Sequence, residues 1–315
     1  MRVAVAFPGQ GSQKKGMGQD FAAQFQEARE TFDEASQALG FNLRDLCFED
    51  DPRLALTEYQ QPAILCVEVA MWRSLAARFG LEPVVLAGHS LGEYAALVVA
   101  GAVAFDKALA LVRERGRLMQ ETVPTGEGAM VAIIAKPVNR DVVLQIAAST
   151  GVDLANDNAP DQVVISGAKE QIDAAVRLLK ANEDFGRFKA IPLRVSAPFH
   201  SRMMQPAADK FRTLLDRSAN DASKATIVAS NATGRMHEGS SQALVDAMAG
   251  QIAGTVLWRD NMEILRASSL PVFEIGPGRP LRGFFAAAGI SSSSISTVEQ
   301  AHTILGDRLG SGSTT

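Results

Sequence analysis

The sequence contains little cysteine, few aromatic residues and no excess of basic residues. Its two cysteines, Cys47 and Cys66, are too few for a disulfide framework, and they lack the paired spacing of a zinc site. There are 31 lysine and arginine residues against 35 acidic residues, so the formal net charge is −4, and only 6% of residues are aromatic. Nucleic-acid binding depends on basic surface and on stacking side chains, so we do not expect it. The low cysteine content favours a reducing, intracellular compartment.

Long hydrophobic runs are also absent. The apolar N-terminal segment ends at Pro8 and Gly9, which makes it too short for the core of a signal peptide or for a membrane span. Charged residues or glycine interrupt the later apolar stretches within about ten residues, so we expect no transmembrane helix and no membrane partner. With 47% hydrophobic and 21% charged residues, the chain has the composition of a globular protein with a large core, and we expect it to be cytoplasmic.

Strand-like and helix-like segments alternate along much of the chain. This alternation predicts an α/β fold in which helices cover both faces of a parallel sheet. The first segments are strands at 2–7 and 84–87 and helices at about 20–39, 60–79, 92–100 and 106–120. The later ones are helices near 204–217, 241–253 and 279–287 and strands at 225–229 and 271–275.

The middle of the chain has a different order of elements. Strands at 129–135, 152–155, 162–166 and 188–195 and helices at 138–149 and 169–182 give the order β-α-β-β-α-β of a ferredoxin-like unit. We therefore predict a subdomain at 128–195, inserted into a larger domain made of 1–127 and 196–290. The polar segment Ser291–Ser294 and the small polar residues at the end of the chain predict a C-terminal loop and disordered tail over 291–315.

The strongest local signal for chemistry is the segment Gly88-His89-Ser90-Leu91-Gly92. It matches the nucleophile elbow, in which two glycines permit a sharp turn from a strand into a helix. Because a predicted strand precedes the segment and a predicted helix follows it, Ser90 is a candidate nucleophile. The alternative is a tight structural turn. The start of the helix would also favour a developing oxyanion.

A serine nucleophile needs a base, and the sequence offers four histidines. His89 adjoins the serine and should point away from it, and His302 lies in the weakly patterned C-terminal region. His237 lies in a polar loop, where we expect a solvated surface histidine. His200 directly follows a predicted strand at the edge of the large domain, so elimination leaves it as the base. A buried structural histidine is the alternative.

A hydrolase triad would also contain a carboxylate that orients the histidine. In α/β-hydrolases this acid lies between the serine and the histidine in the sequence. The carboxylates in that interval mostly belong to predicted helix starts or to turns of the inserted unit; they include Asp106, Asp153, Asp157 and Asp161. We therefore expect a serine and histidine dyad in which a backbone carbonyl orients the histidine.

Three arginines share the predicted helix at 106–120. At 100° per residue, Arg113 and Arg117 lie close together, whereas Arg115 projects to nearly the opposite face. If the face with Arg113 and Arg117 is solvated, Arg115 points inward, and a buried guanidinium needs an anion. That anion is either a structural carboxylate or a carboxylate of the substrate.

With Ser90, His200 and Arg115 identified, the sequence resembles the malonyl-coenzyme A:acyl carrier protein transacylases, the acyltransferases of fatty acid and polyketide synthesis. The matching segments run from residue 7 to residue 278, so the resemblance covers nearly the whole chain. They are FPGQGSQ at 7–13, AGHSLGEYAAL at 87–97, ERGRLMQ at 114–120, GEGAM at 126–130, ANDNAPDQVVISG at 155–167, SAPFHS at 196–201 and EIGPG at 274–278. The resemblance implies an α/β-hydrolase-like large domain with an inserted ferredoxin-like subdomain.

The resemblance also implies a role for individual residues. Ser90 would attack the malonyl thioester with His200 as its base, and the backbone N–H groups of Gln10 and Leu91 would form the oxyanion hole. The main-chain carbonyl of Gln251 would orient His200 in place of the missing acid. The malonyl group would pass from coenzyme A to the serine, and then to the phosphopantetheine thiol of acyl carrier protein, in a ping-pong reaction.

Substrate selection is implied at two further positions. Arg115 would pair bidentately with the malonyl carboxylate, and Phe199 would exclude an α-methyl group.

Exchange of one thioester for another is nearly isoenergetic, so neither a cofactor nor a metal is expected; coenzyme A enters only as part of the substrate. An acidic carrier protein would need a local basic patch, and the candidates for it are Lys14, Lys15, Arg187, Lys189 and Arg202.

Three other functions compete with malonyl transfer to the carrier protein of fatty acid synthesis. A discrete acyltransferase that serves a polyketide synthase in trans would share every catalytic residue. A thioesterase would give the acyl group to water, but it has no need of an inward cation such as Arg115. A non-catalytic docking module would not need Ser90, His200, Arg115 and Gln251 together.

Overall fold

The structure is a computed structural model, and it describes residues 1–215 and 221–306. Among these residues the strands are β1 (Arg2–Phe7), β2 (Glu82–Gly88), β3 (Gly128–Ile134), β4 (Asp153–Ala159), β5 (Gln162–Ala168), β6 (Lys189–Pro192), β7 (Val272–Ile275) and β8 (Ser292–Ile295). The α-helices are α1 (Gln19–Gln24), α2 (Gln26–Leu39), α3 (Leu43–Phe48), α4 (Thr57–Phe79), α5 (Gly92–Ala100), α6 (Phe105–Glu121), α7 (Arg140–Thr150), α8 (Lys169–Ala181), α9 (Gln205–Leu215), α10 (Ser241–Ala253), α11 (Trp258–Ala267), α12 (Arg282–Ala287) and α13 (Val298–Leu305).

The first sheet is parallel, as the alternation of strands and helices predicts. Its strand order is β2-β1-β7-β8, and β1, one of the two central strands, is buried from Val3 to Phe7. Because the strands run in the same direction, their C-terminal ends meet at one edge of the sheet. Phe7 at the end of β1 is paired with Gly88 at the end of β2, so the turns that follow these two strands lie side by side.

The second sheet is antiparallel and has the strand order β4-β5-β3-β6. Its elements follow the predicted order β-α-β-β-α-β along the chain. The side chains of β3 alternate: Val131 and Ile133 pack in a hydrophobic cluster with residues of α7 and α8, whereas Met130 and Ala132 join the main core. One face of this sheet is therefore directed toward the part of the molecule that contains the parallel sheet.

The predicted strand at 225–229 is wrong. A 3-10 helix spans Ala222–Ile227, and the next two residues make only isolated bridges, Val228 to Leu86 and Ala229 to Met236. The buried residues Ala222, Ala225 and Val228 are spaced by three, which matches the repeat of a 3-10 helix. A short apolar run alone does not distinguish this spacing from the pattern of a strand.

The predicted loop over Ser291–Ser294 is also wrong. Ser292–Ser294 lie in β8 at the edge of the parallel sheet, where Ser294 donates a hydrogen bond to the buried carboxylate of Glu274 at 2.7 Å. The chain then continues into α13, which is capped by Thr297. The predicted disordered end of the chain and the last two residues of the predicted helix 204–217 lie outside the described residues.

Several other boundaries differ from the predictions. The helix predicted at 20–39 is two helices, because Phe25 between α1 and α2 is extended. The strand predicted at 188–195 is limited to the four residues of β6, and the helix predicted at 279–287 begins only at Arg282. In the part of the chain that the structure describes, no helix combines the length and apolar character needed to cross a membrane.

Candidate active site

Ser90 lies in a sharp turn between β2 and α5, at the C-terminal edge of the parallel sheet. Its φ of 52° is in the left-handed region, which a non-glycine residue seldom adopts. A Cβ atom at Gly88 would lie 1.9 Å from the carbonyl carbon of Gly92, and one at Gly92 would lie 2.3 Å from the oxygen of Phe7. Both flanking positions therefore require glycine, and the turn has the geometry of a nucleophile elbow.

His200 contacts the serine hydroxyl. Its Nε2 lies 2.8 Å from Ser90 Oγ, and its Nδ1 lies 2.7 Å from the main-chain oxygen of Gln251 on α10. Since a carbonyl oxygen only accepts, Nδ1 carries the proton and Nε2 is left as the acceptor that faces the serine. Burial and the adjacent Arg115 guanidinium lower the pKa of His200 to about 3, so the imidazole is neutral at physiological pH.

The carboxylates considered from the sequence do not contact His200. Asp153 pairs with Arg202, and Asp157 pairs with Arg140 and Arg259. Asp106 is in the first turn of α6. The main-chain carbonyl of Gln251 occupies the place that an acid would take in a triad, in keeping with the expected dyad.

Arg115 points inward from α6 and is 1% exposed. Its Nη2 donates to Ser90 Oγ at 3.0 Å and to Gln251 Oε1 at 2.9 Å, and its Nη1 donates to Gln61 Oε1 at 2.9 Å. Burial lowers the pKa of Arg115. Among the described residues no carboxylate forms an ion pair with it, so a cation lies beside the serine with only neutral partners.

The other two arginines of α6 behave as the helical geometry predicts. Arg113 pairs with Glu58, and Arg117 pairs with Glu114 and Glu121. Their side chains are 34% and 39% exposed. The contrast with Arg115 confirms the predicted orientation of the helix.

Two backbone N–H groups near Ser90 are available to an incoming oxygen atom. Gln10 follows β1 in the glycine-rich turn, and Leu91 directly follows the serine at the start of α5. Across the described residues, no hydrogen bond uses the N–H of Gln10 or Leu91 as its donor, whereas the N–H of Ser90 donates to Asn231 Oδ1 at 2.6 Å. The turns after β1 and β2 are joined by a hydrogen bond from the N–H of His89 to the oxygen of Phe7 at 2.9 Å.

The prediction that His237 is a solvated surface residue is wrong. The side chain is 2% exposed, and its Nε2 lies 2.8 Å from Oε1 of Glu93, which is itself 1% exposed. The other carboxylate oxygen of Glu93 accepts from Gln251 Nε2 at 2.5 Å and from the N–H of Asn231 at 3.2 Å. Sequence reasoning missed Glu93 and Asn231; a lone acidic residue in the otherwise apolar helix α5 was the signal that could have identified Glu93.

His89 and His302 lie outside the dyad. His89 is partly buried, donates a hydrogen bond from its Nε2 to Asn158 Oδ1 at 2.8 Å, and packs edge-on against Trp258. It supports the wall of the site, which agrees with the structural role predicted for it. His302 lies on α13 and packs against Phe79.

A cavity of about 410 Å³ opens beside Ser90, His200 and Arg115. The parallel-sheet part supplies Gln10 and Met119 to its wall, and Phe199, next to His200, also lines it. Across from them, the antiparallel sheet and the segment after it supply Met130, Ala132, Asn156, Asn158, Gln162, Val164, Leu193 and Arg194. The arrangement brings together a serine hydroxyl, a neutral imidazole and a guanidinium beside a cavity, which is a combination that suits nucleophilic chemistry on a substrate with a carboxylate.

Comparison with known proteins gives the same family throughout. Residues 5–263 match the family model described as an acyl transferase domain. The malonyl CoA-acyl carrier protein transacylase of Bacillus subtilis is 39% identical over 289 residues, which covers 90% of this chain and 89% of that protein.

Solved structures agree with the sequence match. An acyl carrier protein S-malonyltransferase from Vibrio cholerae is 37% identical, with a TM-score of 0.89 over 96% of this chain and 100% of that chain. A malonyl-transacylase in complex with its type II PKS acyl-carrier protein is also 37% identical, with a TM-score of 0.87 over 97% of this chain and 99% of that chain. The chain therefore belongs to the acyl transferase family that includes the malonyl CoA-acyl carrier protein transacylases.

Proposed function

We propose that this protein transfers malonyl from malonyl-coenzyme A to the phosphopantetheine thiol of acyl carrier protein. The observation that carries the proposal is the buried guanidinium of Arg115, which lies 3.0 Å from the Ser90 hydroxyl. A cation beside a nucleophile suits a substrate that carries a carboxylate next to its reactive carbonyl. Similarity to transacylases over about nine-tenths of the chain supports the same activity.

The first half-reaction forms an ester on Ser90. The neutral imidazole of His200 takes the hydroxyl proton as Ser90 Oγ attacks the thioester carbonyl, and the N–H groups of Gln10 and Leu91 stabilise the oxyanion. The tetrahedral intermediate then collapses with cleavage of the carbon–sulfur bond. Coenzyme A leaves with the proton from His200, and malonyl-Ser90 remains.

The second half-reaction reverses these steps with a different thiol. His200 takes the proton of the pantetheine thiol, and the sulfur attacks the ester carbonyl. The carbon–oxygen bond breaks, and the proton returns to Ser90. The carbonyl of Gln251 keeps Nδ1 of His200 protonated, so that Nε2 is directed at the reacting groups in both half-reactions.

Substrate selection follows from the carboxylate and the α-carbon of the malonyl group. The carboxylate replaces neutral partners of Arg115, so the anion left open by the sequence is assigned to the substrate. Phe199 lines the cavity next to His200 and is 5% exposed, so it has little room to move away from an added α-methyl group. Malonyl is therefore preferred over methylmalonyl and over uncharged acyl groups.

Neither a metal nor a cofactor enters this proposal. One thioester is exchanged for another, so the reaction needs no external source of free energy, and the groups above supply the acid–base and electrostatic catalysis. Dialysis against a chelator should leave the transfer rate unchanged. A rate that falls and returns on addition of a divalent cation would contradict this part of the proposal.

We assign the finer features of the fold in the same way. Residues 1–127 and 196–290 form an α/β-hydrolase-like domain, and 128–195 form a ferredoxin-like insertion; the separate hydrophobic cluster around α7 and α8 supports this division. The C-terminal segment belongs with the large domain as far as residue 306, because β8 extends the parallel sheet. We also propose a cytoplasmic location, because coenzyme A thioesters and carrier protein would meet there.

The proposal is tested by incubation with malonyl-coenzyme A followed by peptide mapping. The wild-type protein should gain the mass of one malonyl group on Ser90, and addition of the phosphopantetheinylated carrier protein should remove it. Ser90→Ala should gain nothing. A label that persists in this variant, or that sits on another residue, would exclude the assignment of the nucleophile.

A second candidate function is malonyl transfer in trans to a polyketide synthase. The similarity to a malonyl-transacylase that forms a complex with a type II PKS acyl-carrier protein favours it. Transfer rates across a panel of fatty acid and polyketide carrier proteins distinguish the two candidate functions. The same assay scores hydrolysis, and a thioesterase would release malonate at the same rate without any carrier protein.

Carrier-protein docking is assigned to exposed basic residues. Lys14, Lys15, Arg187 and Lys189 are exposed, and so is Arg194, which lines the cavity and was not among the predicted candidates. Arg202 is also exposed, but an ion pair with Asp153 already occupies its guanidinium. These positions provide local positive charge on a chain whose net charge is −4.

A further inference from the structure

A buried carboxylate beneath the elbow takes no part in the two half-reactions. Glu93 lies in the first turn of α5 and is 1% exposed. Its Oε2 accepts from Gln251 Nε2 and from the N–H of Asn231, and its Oε1 lies 2.8 Å from His237 Nε2. Both carboxylate oxygens are therefore engaged inside the protein, where an unpartnered charge would be strongly unfavourable.

These contacts fix the orientation of the Gln251 side-chain amide. Its nitrogen faces two groups that can only accept, the Glu93 carboxylate at 2.5 Å and the main-chain oxygen of Ser90 at 3.0 Å. Its oxygen faces Arg115 Nη2, which can only donate, at 2.9 Å. A rotation of the amide by 180° would place an N–H group against the guanidinium and an oxygen against the carboxylate.

The arrangement also separates Arg115 from the negative charge that compensates it. Gln251 lies between the Arg115 guanidinium and the Glu93 carboxylate and bonds to both. A carboxylate in direct contact with Arg115 would have to be displaced by the substrate carboxylate. With the anion one hydrogen bond further away, the guanidinium is stabilised in a buried site and still has a place for the substrate.

His237 fixes the far side of Glu93. Its ring comes from the loop before α10, and its main-chain N–H donates to the oxygen of Val228 at 3.0 Å. The side chains of His237 and Glu93 are 2% and 1% exposed, so water does not compete effectively for their hydrogen bond. The chain of contacts runs from His237 through Glu93 and Gln251 to Arg115.

We propose that Glu93, fixed by His237, is a positioning residue for the malonyl-binding guanidinium. It sets the side-chain amide of Gln251 so that the amide oxygen faces Arg115, and it supplies the balancing charge. The inference rests on the proposed malonyl transfer. Glu93 directly follows the elbow and carries no reacting group. In this role it contributes to the selection of a substrate that carries a carboxylate.

A double-mutant cycle between Glu93 and Gln251 tests this proposal. Glu93→Ala should lower kcat/KM for malonyl-coenzyme A about 30-fold, but the same change in a Gln251→Ala background should cost less than about 3-fold. The ratio of malonyl to acetyl transfer should fall in Glu93→Ala, because only the malonyl group uses Arg115. Effects that multiply, or a loss that is equal for malonyl and acetyl, would overturn the proposal and leave Glu93 a structural residue.

Further variants keep the test decisive if Glu93→Ala does not fold. Glu93→Gln retains the shape and one acceptor oxygen but removes the charge, and it should show the same direction of change in the malonyl to acetyl ratio. His237→Leu removes the donor, whereas His237→Gln keeps one, so only the leucine variant should lose malonyl selectivity. Equal selectivity in both would contradict the role of His237. A wild-type protein that forms no malonyl-Ser90 would instead refute the proposed function.

Discussion

The two sheets contribute different kinds of group to the same cavity. The part with the parallel sheet supplies Ser90, His200 and Arg115, which react, titrate or carry charge. The antiparallel sheet supplies uncharged side chains, among them Met130, Asn156 and Val164. This difference indicates that chemistry is concentrated where parallel strands end, whereas the opposite wall determines the shape of the site.

Among the variants of the site, the largest loss of activity is expected at the base, His200. His200→Ala should lower kcat/KM for malonyl-coenzyme A about 10³-fold, because the serine loses its proton acceptor. The rate of acyl-enzyme formation, measured by rapid quench, checks this. His302→Ala, which changes a histidine far from the cavity, should remain within about 2-fold of wild type; equal losses would show that the dyad is misassigned.

The next largest effect is expected at the cation. Arg115→Ala should reduce malonyl transfer about 100-fold, while acetyl transfer changes much less, since a buried charge pair with the substrate is lost. Competition between malonyl-coenzyme A and acetyl-coenzyme A measures the ratio directly. Arg113→Ala on the solvated face of the same helix is the control, and an unchanged ratio in Arg115→Ala would refute the assigned contact.

A smaller effect is expected where the cavity limits the size of the substrate. Phe199→Ala should raise the ratio of methylmalonyl to malonyl transfer about 10-fold, because space for one methyl group corresponds to about 1–3 kcal/mol. Phe188→Ala, which changes a ring in the hydrophobic cluster of the antiparallel part, should leave the ratio unaltered. If both variants keep the wild-type ratio of methylmalonyl to malonyl transfer, Phe199 is not the residue that excludes the α-methyl group.

A still smaller effect concerns the carrier protein. Reversal of charge at Lys14, Lys15, Arg187 and Lys189 together should raise KM for the carrier protein about 3-fold at low salt, with less effect at high salt. Formation of malonyl-Ser90 from malonyl-coenzyme A serves as the internal control. An unchanged KM for the carrier protein would show that the docking surface lies elsewhere.

The smallest effect is expected from pH. A base with an ordinary histidine pKa would lose activity below about pH 6.5, whereas His200, whose pKa is lowered to about 3, stays neutral. The rate of acyl-enzyme formation should therefore change less than about 2-fold between pH 7 and pH 5. A steep decline through pH 6.5 would show that the imidazole is more hydrated than its burial indicates.

Local patterns were sufficient to predict much of the site. The spacing of Gly88 and Gly92 around Ser90 determines the elbow, because nothing larger than hydrogen fits at either glycine. The inward direction of Arg115 follows from the helical repeat. The carboxylates between Ser90 and His200 mostly belong to predicted helix starts or to turns of the inserted unit, and this led to a backbone carbonyl as the expected partner of His200. Each of these inferences depends on neighbours in the sequence.

The features that were missed depend on distant parts of the chain. Glu93 and His237 are 144 residues apart, and a polar loop gives no local indication that its histidine will be buried. The run at 225–229 fits a strand as well as a 3-10 helix until its packing partners are known. The serines of β8 look like a loop because an edge strand needs little apolar surface.

The role of Arg115 is tested most directly by the structure of the acyl-enzyme, obtained from wild-type crystals soaked with malonyl-coenzyme A in the absence of carrier protein. We expect an ester on Ser90 with the malonyl carboxylate bonded by two nitrogen atoms of Arg115. We also expect the Gln251 amide nitrogen to face Glu93 still. A malonyl carboxylate that is directed to solvent and forms no hydrogen bond with Arg115 would contradict the assigned role of this guanidinium.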